Sequence, residues 1–190
     1  MKPFIPVIFL IIIFIVGCSV EEEKIIQDEK INIEKEIKPL EGVENMKLTS
    51  PAFKHNGAMP SEYTCDGEDI SPELNIGDVP ENAKSLALIM DDPDAPVGTW
   101  VHWVAWNMPQ DTKKIAKGTE PKGAAGKNSW GRTGYGGPCP PSGTHRYIFK
   151  LYALDKTLDL KESSDKEDLE KAMQGHIIEK AELIGPYKRK

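Results

Sequence analysis

The chain has 190 residues, 39% hydrophobic and 28% charged, with a formal net charge of −6. These proportions suit one soluble globular domain with flanking segments. They exclude the basic stripe that a nucleic-acid binder needs, so nucleic acid is not an expected partner.

The N-terminus reads as an address rather than as fold. Lys2 precedes an almost wholly apolar run from Phe4 to Val16. A membrane-spanning helix needs about 20 such residues; a run this short fits the core of a signal peptide. The segment ends in Gly17-Cys18-Ser19, which resembles the lipobox of bacterial-type lipoproteins. The expectation is a signal peptide over residues 1–17, acylation of Cys18, and an exported lipoprotein anchored in the cell envelope. Ser19 points to the outer membrane if the source is Gram-negative. The alternative is an uncleaved signal anchor with Cys18 an incidental residue.

Residues 18–46 read as an acidic tether. Nine acidic and five basic residues lie between 19 and 47, with no aromatic side chain. Ile26, Ile33, Ile37 and Leu40 fall near a helical stripe, but a solvated tether is the simpler reading. Pro39 and Gly42 end any helix before the domain, which is expected over residues 47–190.

Within the domain, Pro and Gly recur between short apolar runs. Ser85–Met90 predicts a buried strand. Trp100–Met108 predicts another, with Trp100, His102, Val104 and Trp106 on one face by alternation. His145–Leu154 predicts a third, with His145, Tyr147, Phe149 and Leu151 on one face and Arg146 and Lys150 on the other. Strands separated by turn clusters indicate an antiparallel β-sandwich. Ser164-Asp165-Lys166-Glu167 reads as a capping box opening a helix with Leu169, Ala172 and Met173 on its apolar side. Gly175 closes that helix. A second short helix is expected from His176 to about Leu183.

Four polar stretches interrupt the strands: Thr64–Pro72, Asp91–Pro96, Trp100–Trp103 and Gly134–Tyr147. Each alone has an ordinary reading, such as Asp capping a turn beside Pro. In order, Asp92-Pro93-Asp94-Ala95-Pro96, then Trp100-Val101-His102, then Gly137-Pro138-Cys139-Pro140-Pro141 running into Gly143-Thr144-His145-Arg146-Tyr147, they resemble the phosphatidylethanolamine-binding protein family. The similarity is to its bacterial and archaeal Raf-kinase-inhibitor-like (YbhB/YbcL) branch and covers roughly residues 47–188.

That resemblance implies a mainly β fold, a Greek-key sandwich with one or two short helices near the C-terminus. It implies a ligand pocket formed by Asp92, Pro96, Trp100, His102, Gly137, Pro141, His145 and Tyr147. The expected ligand is a small anion, a phosphate or phosphorylated headgroup, bound without catalysis or cofactor. The Gly/Pro loop before His145 is shorter than in animal members, so their headgroup preferences do not transfer.

The donors such a pocket requires are present. Backbone N–H groups of the Gly134–Gly143 loop, the Tyr147 hydroxyl and the His102 and His145 rings can all donate. Asp92 beside an imidazole would favour its protonated form, giving tighter anion binding as pH falls from about 8 to 6. Rival readings are a hydrolase using the same pocket and an inhibitor or regulator of an extracytoplasmic peptidase or other protein. No Gly-x-Ser-x-Gly or His-Glu-x-x-His motif supports hydrolysis. Zinc on Asp92, Asp94, His102 and His145 matches no compact motif, so no metal is expected. Cys65 and Cys139 are either a disulfide or two free thiols; the sequence leaves both open.

Overall fold

Strands form where β-branched and aromatic residues alternate, and one of them anchors the whole domain. The computed structural model describes residues 45–189, so the signal segment, Cys18 and nearly all of the tether lie outside the described residues. Within them, β1 (Lys47–Thr49), β2 (Leu74–Gly77) and β5 (Lys114–Ile115) make a small antiparallel sheet. The larger sheet holds β3 (Ser85–Asp92), β4 (Trp100–Met108), β6 (Ala124–Ala125), β7 (His145–Leu154) and β8 (Ile177–Tyr187), in the order β6-β4-β3-β7-β8. In it β7 returns after a long connection to lie beside β3, the arrangement of a Greek key. Helix α1 spans Lys166–Met173.

Strand β3 is central and every one of its residues is buried. Its alternation splits the core in two. Leu86, Leu88 and Met90 face the small sheet, packing with Leu48, Leu74, Ile76 and Ile115 and with Trp103, Phe149 and Leu183. Ala87 and Ile89 face the other way, under α1, with Val104, Trp106, Leu154, Leu169 and Met173. Burying one of these large side chains contributes about 1.5–3 kcal/mol.

The alternation expected for β4 does not run through. Met90 pairs with Trp103 and Asp91 with Val101, so His102 is an extra residue in the ladder. This bulge resets the faces. Trp103 and Ala105 lie on the small-sheet side, Val104 and Trp106 on the α1 side. His102 therefore does not share a face with Val104 and Trp106. A second irregularity falls at Asn107, whose φ of 55° is the left-handed conformation Asn tolerates.

The segment expected to form a second helix after His176 is instead β8, an eleven-residue strand paired along the full length of β7. Its inward positions, Ala181, Leu183 and Tyr187, are buried at a period of two. The ladder to β7 outweighs a local spacing that also fits a helix. Pro186 is tolerated because β8 is an edge strand, and its carbonyl accepts from the Met59 N–H.

The helix start also moves by one residue. Asp165, not Ser164, is the N-cap, and its carboxylate accepts from the Glu167 and Asp168 N–H groups. Ser164 is held in the preceding turn: its N–H donates to the Lys161 carbonyl and its own carbonyl accepts from Lys127 N–H. Asp165→Ala should cost about 1 kcal/mol, the usual value of a lost N-cap, and Ser164→Ala clearly less. Urea unfolding of the two variants checks this.

Candidate functional site

Asp91 and Asp92 end β3, and the two-residue period sends their carboxylates to opposite faces of the sheet. Asp91 is fully buried on the α1 side, where its Oδ2 accepts from Lys150 Nζ at 2.8 Å and Lys166 Nζ at 2.7 Å. Its Oδ1 is buried without a protein partner among the described residues. Asp92 faces a cavity of about 330 Å³ lined by Asp92, Pro96, Trp100, His102, Pro141 and Tyr147, together with Ala95, Val97, Trp130 and Cys139. Six of the eight residues expected at the pocket thus line one cavity.

The other two stand behind it. His145 is buried and its Nδ1–H donates to Asp92 Oδ2 at 2.7 Å. The remaining Asp92 oxygen accepts from the Asp94 N–H at 2.8 Å, closing the turn into the Pro96 loop. Asp92 thus serves both as the turn cap and as the partner of an imidazole. Asp94 itself is gripped by Arg146 through Nε at 2.9 Å and Nη2 at 2.7 Å, which holds its carboxyl at about 2.

Gly137 lies against the Thr64–Asp69 segment rather than in the lining. Its N–H donates to Asp69 Oδ1 at 2.6 Å, and a Cβ there would sit 2.4 Å from that oxygen and 2.7 Å from the Tyr63 carbonyl. Only glycine permits this approach. The loop is therefore not a nest of free amides. Tyr135 N–H donates to Glu120, Gly136 N–H to the His102 carbonyl and Gly137 N–H to Asp69. The Cys139 amide is likewise engaged, donating to the Tyr147 hydroxyl, which in turn bonds to Asp92.

His102 is the bulge residue, and the bulge puts its ring on the pocket floor. Nδ1–H donates to the Gly136 carbonyl at 2.7 Å. A carbonyl only accepts, so the neutral ring carries its proton on Nδ1 and presents Nε2 as an acceptor. The ring meets Trp130 and Tyr147 edge-on, with centroids 5.1 Å apart in each case. Burial lowers its pKa below the ordinary imidazole value, outweighing the Gly136 bond and the Asp92 charge. The expected protonated imidazole is thus corrected for His102: desolvation of the charged ring wins over a carboxylate that is already shared with His145. Tyr147 stays a neutral phenol, because burial and the Asp92 carboxylate both oppose its ionisation.

The lip of the cavity is apolar. Val97 is 77% exposed and Trp130 44%. Trp130 packs edge-on against Trp100 and lies over Gly136, whose missing side chain makes room for it. Trp130 lies outside the family motifs, and its sequence signal is a lone tryptophan inside a polar, glycine-rich run. Cys65 and Cys139 form a disulfide with Cα atoms 5.4 Å apart. Ser142, the serine of the Pro141–Gly143 turn, is exposed and outside the lining. Among the described residues, no three His, Cys, Asp or Glu side chains group closely enough to hold a metal ion.

A buried neutral imidazole makes folding sensitive to acid. Its folded pKa lies below the unfolded value of about 6.5, so the unfolded state takes up a proton first as pH falls. Stability should therefore decline from about pH 6.5 downward, and His102→Gln should flatten that part of the profile. Denaturant unfolding of both proteins between pH 7.5 and 5 checks it.

Comparison with known proteins places the fold. The phosphatidylethanolamine-binding protein profile matches residues 49–188. A UPF0098 protein of Methanothermobacter thermautotrophicus is 53% identical over 150 residues, covering 76% of this chain and 99% of the relative. A UPF0098 protein of Pyrococcus abyssi is 48% identical over 159 residues, covering 78% of this chain and 89% of the relative. The crystal structure of a homologue of the family from Chlamydia trachomatis superposes with a TM-score of 0.75 at 44% identity, covering 77% of this chain and 99% of that one. That of Escherichia coli YbcL, described as a member of the mammalian family, gives 0.72 at 29% identity over 77% of this chain and all of that one. The chain belongs to the phosphatidylethanolamine-binding protein family.

Proposed function

We propose that the protein binds a small phosphorylated ligand, a phosphomonoester or headgroup-like anion, in the Asp92–His102–Tyr147 cavity without transforming it. The observation that carries the reading is His102: a buried, neutral ring with Nδ1 committed to a carbonyl and Nε2 facing the cavity. A fully ionised anion would meet Asp92 with no cation in the lining to offset it. A ligand that brings its own proton suits the floor better. The P–OH of a monoprotonated phosphomonoester donates to His102 Nε2, and another of its oxygens accepts from the Tyr147 hydroxyl in exchange for that group's bond to Asp92. The aromatic and aliphatic lip lowers the local dielectric and strengthens these bonds. A binding role rather than hydrolysis is supported by a lining that holds no serine, threonine or free thiol.

Export and anchoring through Cys18 belong to the same proposal. Their support is the apolar run Phe4–Val16 ending at Cys18. The Cys65–Cys139 bond adds to it, since disulfides persist mainly outside reducing compartments. Cys18→Ser should move the protein from the membrane fraction to the soluble fraction; an unchanged distribution rules the anchor out.

Calorimetric titration tests the pocket. Phenyl phosphate should bind more tightly as pH falls through its second ionisation near 6, gaining roughly 25-fold between pH 7.5 and 5.5. Benzenesulfonate has no proton to offer. It should bind more weakly, gaining only below pH 6.5, as His102 itself becomes charged. His102→Ala should weaken phenyl phosphate by roughly tenfold or more, the scale of a lost hydrogen bond to a charged group. Equal affinity for the wild type and His102→Ala refutes the reading.

A further inference from the structure

The pocket wall from Tyr135 to Pro141 is tied to the segment Tyr63–Asp69 by four links. Three are hydrogen bonds: the Tyr135 hydroxyl to the Tyr63 carbonyl at 2.7 Å, Gly137 N–H to Asp69 Oδ1 at 2.6 Å, and Cys65 N–H to the Pro138 carbonyl at 3.1 Å. They reach only as far as Pro138. The fourth link is the disulfide, which bridges 74 positions and fixes Cys139, itself a lining residue beside the Tyr147 hydroxyl. Beyond it come Pro140, Pro141 and Gly143, the last at φ +71°, before β7 begins at His145. Both half-cystines are exposed residues. The covalent bond is therefore the outermost clamp on the wall, and it joins two exposed residues.

We propose that the Cys65–Cys139 disulfide is a redox latch that sets the affinity of the pocket. Oxidised, it holds Cys139, whose N–H positions the Tyr147 hydroxyl, and the Pro141 ring in the pocket wall. A small dithiol in the surrounding medium opens it. A thiolate of the dithiol attacks one exposed sulfur and forms a mixed disulfide. The second thiol of the reductant then displaces the protein. The protein gains two electrons and two protons as two thiols, and the dithiol leaves as its own disulfide. With the latch open, Cys139–Thr144 must be ordered by the ligand at its own expense. This inference rests on the ligand-binding reading above.

The test compares the oxidised protein, the protein reduced with dithiothreitol, and Cys65→Ala, which removes the bond from outside the pocket lining. Alkylation followed by mass measurement reports whether the bond has opened. Phenyl phosphate should bind the reduced protein and Cys65→Ala about three- to tenfold more weakly than the oxidised protein, the cost of ordering one or two released side chains. Dithiothreitol should leave Cys65→Ala unaffected. Amide hydrogen exchange at Cys139 and Ser142–Thr144 should quicken on reduction while that of β3 and β7 does not. Equal affinities, unchanged exchange at Cys139–Thr144, a bond that stays closed in the reductant, or global loss of sheet structure on reduction each overturns the latch. Failure of the oxidised, folded protein to bind phenyl phosphate instead overturns the ligand reading, and the exchange measurement then still decides whether the wall is released.

Discussion

Two adjacent carboxylates, buried at the end of the central strand, dictate how the surrounding elements must meet. A buried ion without a partner costs several kcal/mol, so each needs cationic or N–H partners close by. Asp91 draws Lys150 from β7 and Lys166 from α1 to one side of the sheet. Asp92 takes the His145 ring and the Asp94 amide on the other. The first pair of contacts fastens the helix over the sheet; the second aims β7 and the following loop at the cavity. The strand period of two makes both possible from neighbouring residues. A one-residue slip of β3 would exchange the two environments and leave each acid facing the wrong partners.

The cavity inherits its chemistry from this division. Because Asp92 is already shared, its charge is poorly placed to hold a proton on His102, and burial of that ring prevails. The result is a floor made of one carboxylate, one neutral imidazole with a free lone pair and one neutral phenol. On the proposed reading, such a floor favours ligands that both donate and accept over anions that can only accept. The apolar lip sharpens the distinction, since any unmet hydrogen bond there is desolvated and hence costly.

Strands β3, β4 and β7 were legible because long apolar runs are bounded by Pro and Gly, and their observed ends match closely. The faces of β4 were not. A bulge is a property of the pairing between strands, and nothing local to Trp100–Trp103 announces that His102 will be the extra residue. Strand β8 was misread for a related reason. Ile177, Ile178, Ala181 and Leu183 fit a helical spacing as well as a strand, and the choice is made by the exposed edge of β7, far away in sequence. The helix cap failed by one residue because Ser164 and Asp165 are equally good caps in isolation. The turn that ties Ser164 to Lys161 and Lys127 excludes it.

For the site, the family motifs identified which residues gather but not what each atom does there. Six of the eight line the cavity, yet His145 serves as a partner to Asp92 and Gly137 as a point of close approach. His102 had been assigned a positive charge on the sound rule that a carboxylate raises a neighbouring imidazole. The rule fails here because burial of the ring outweighs a carboxylate already bonded to His145, and the Gly136 carbonyl fixes the proton on Nδ1. Protonation state and tautomer depend on single contacts of under 3 Å, made by backbone atoms whose positions no side-chain pattern encodes. Recognising a family therefore locates a pocket well before it identifies the kind of ligand the pocket prefers. That preference has to be read from the hydrogen bonds.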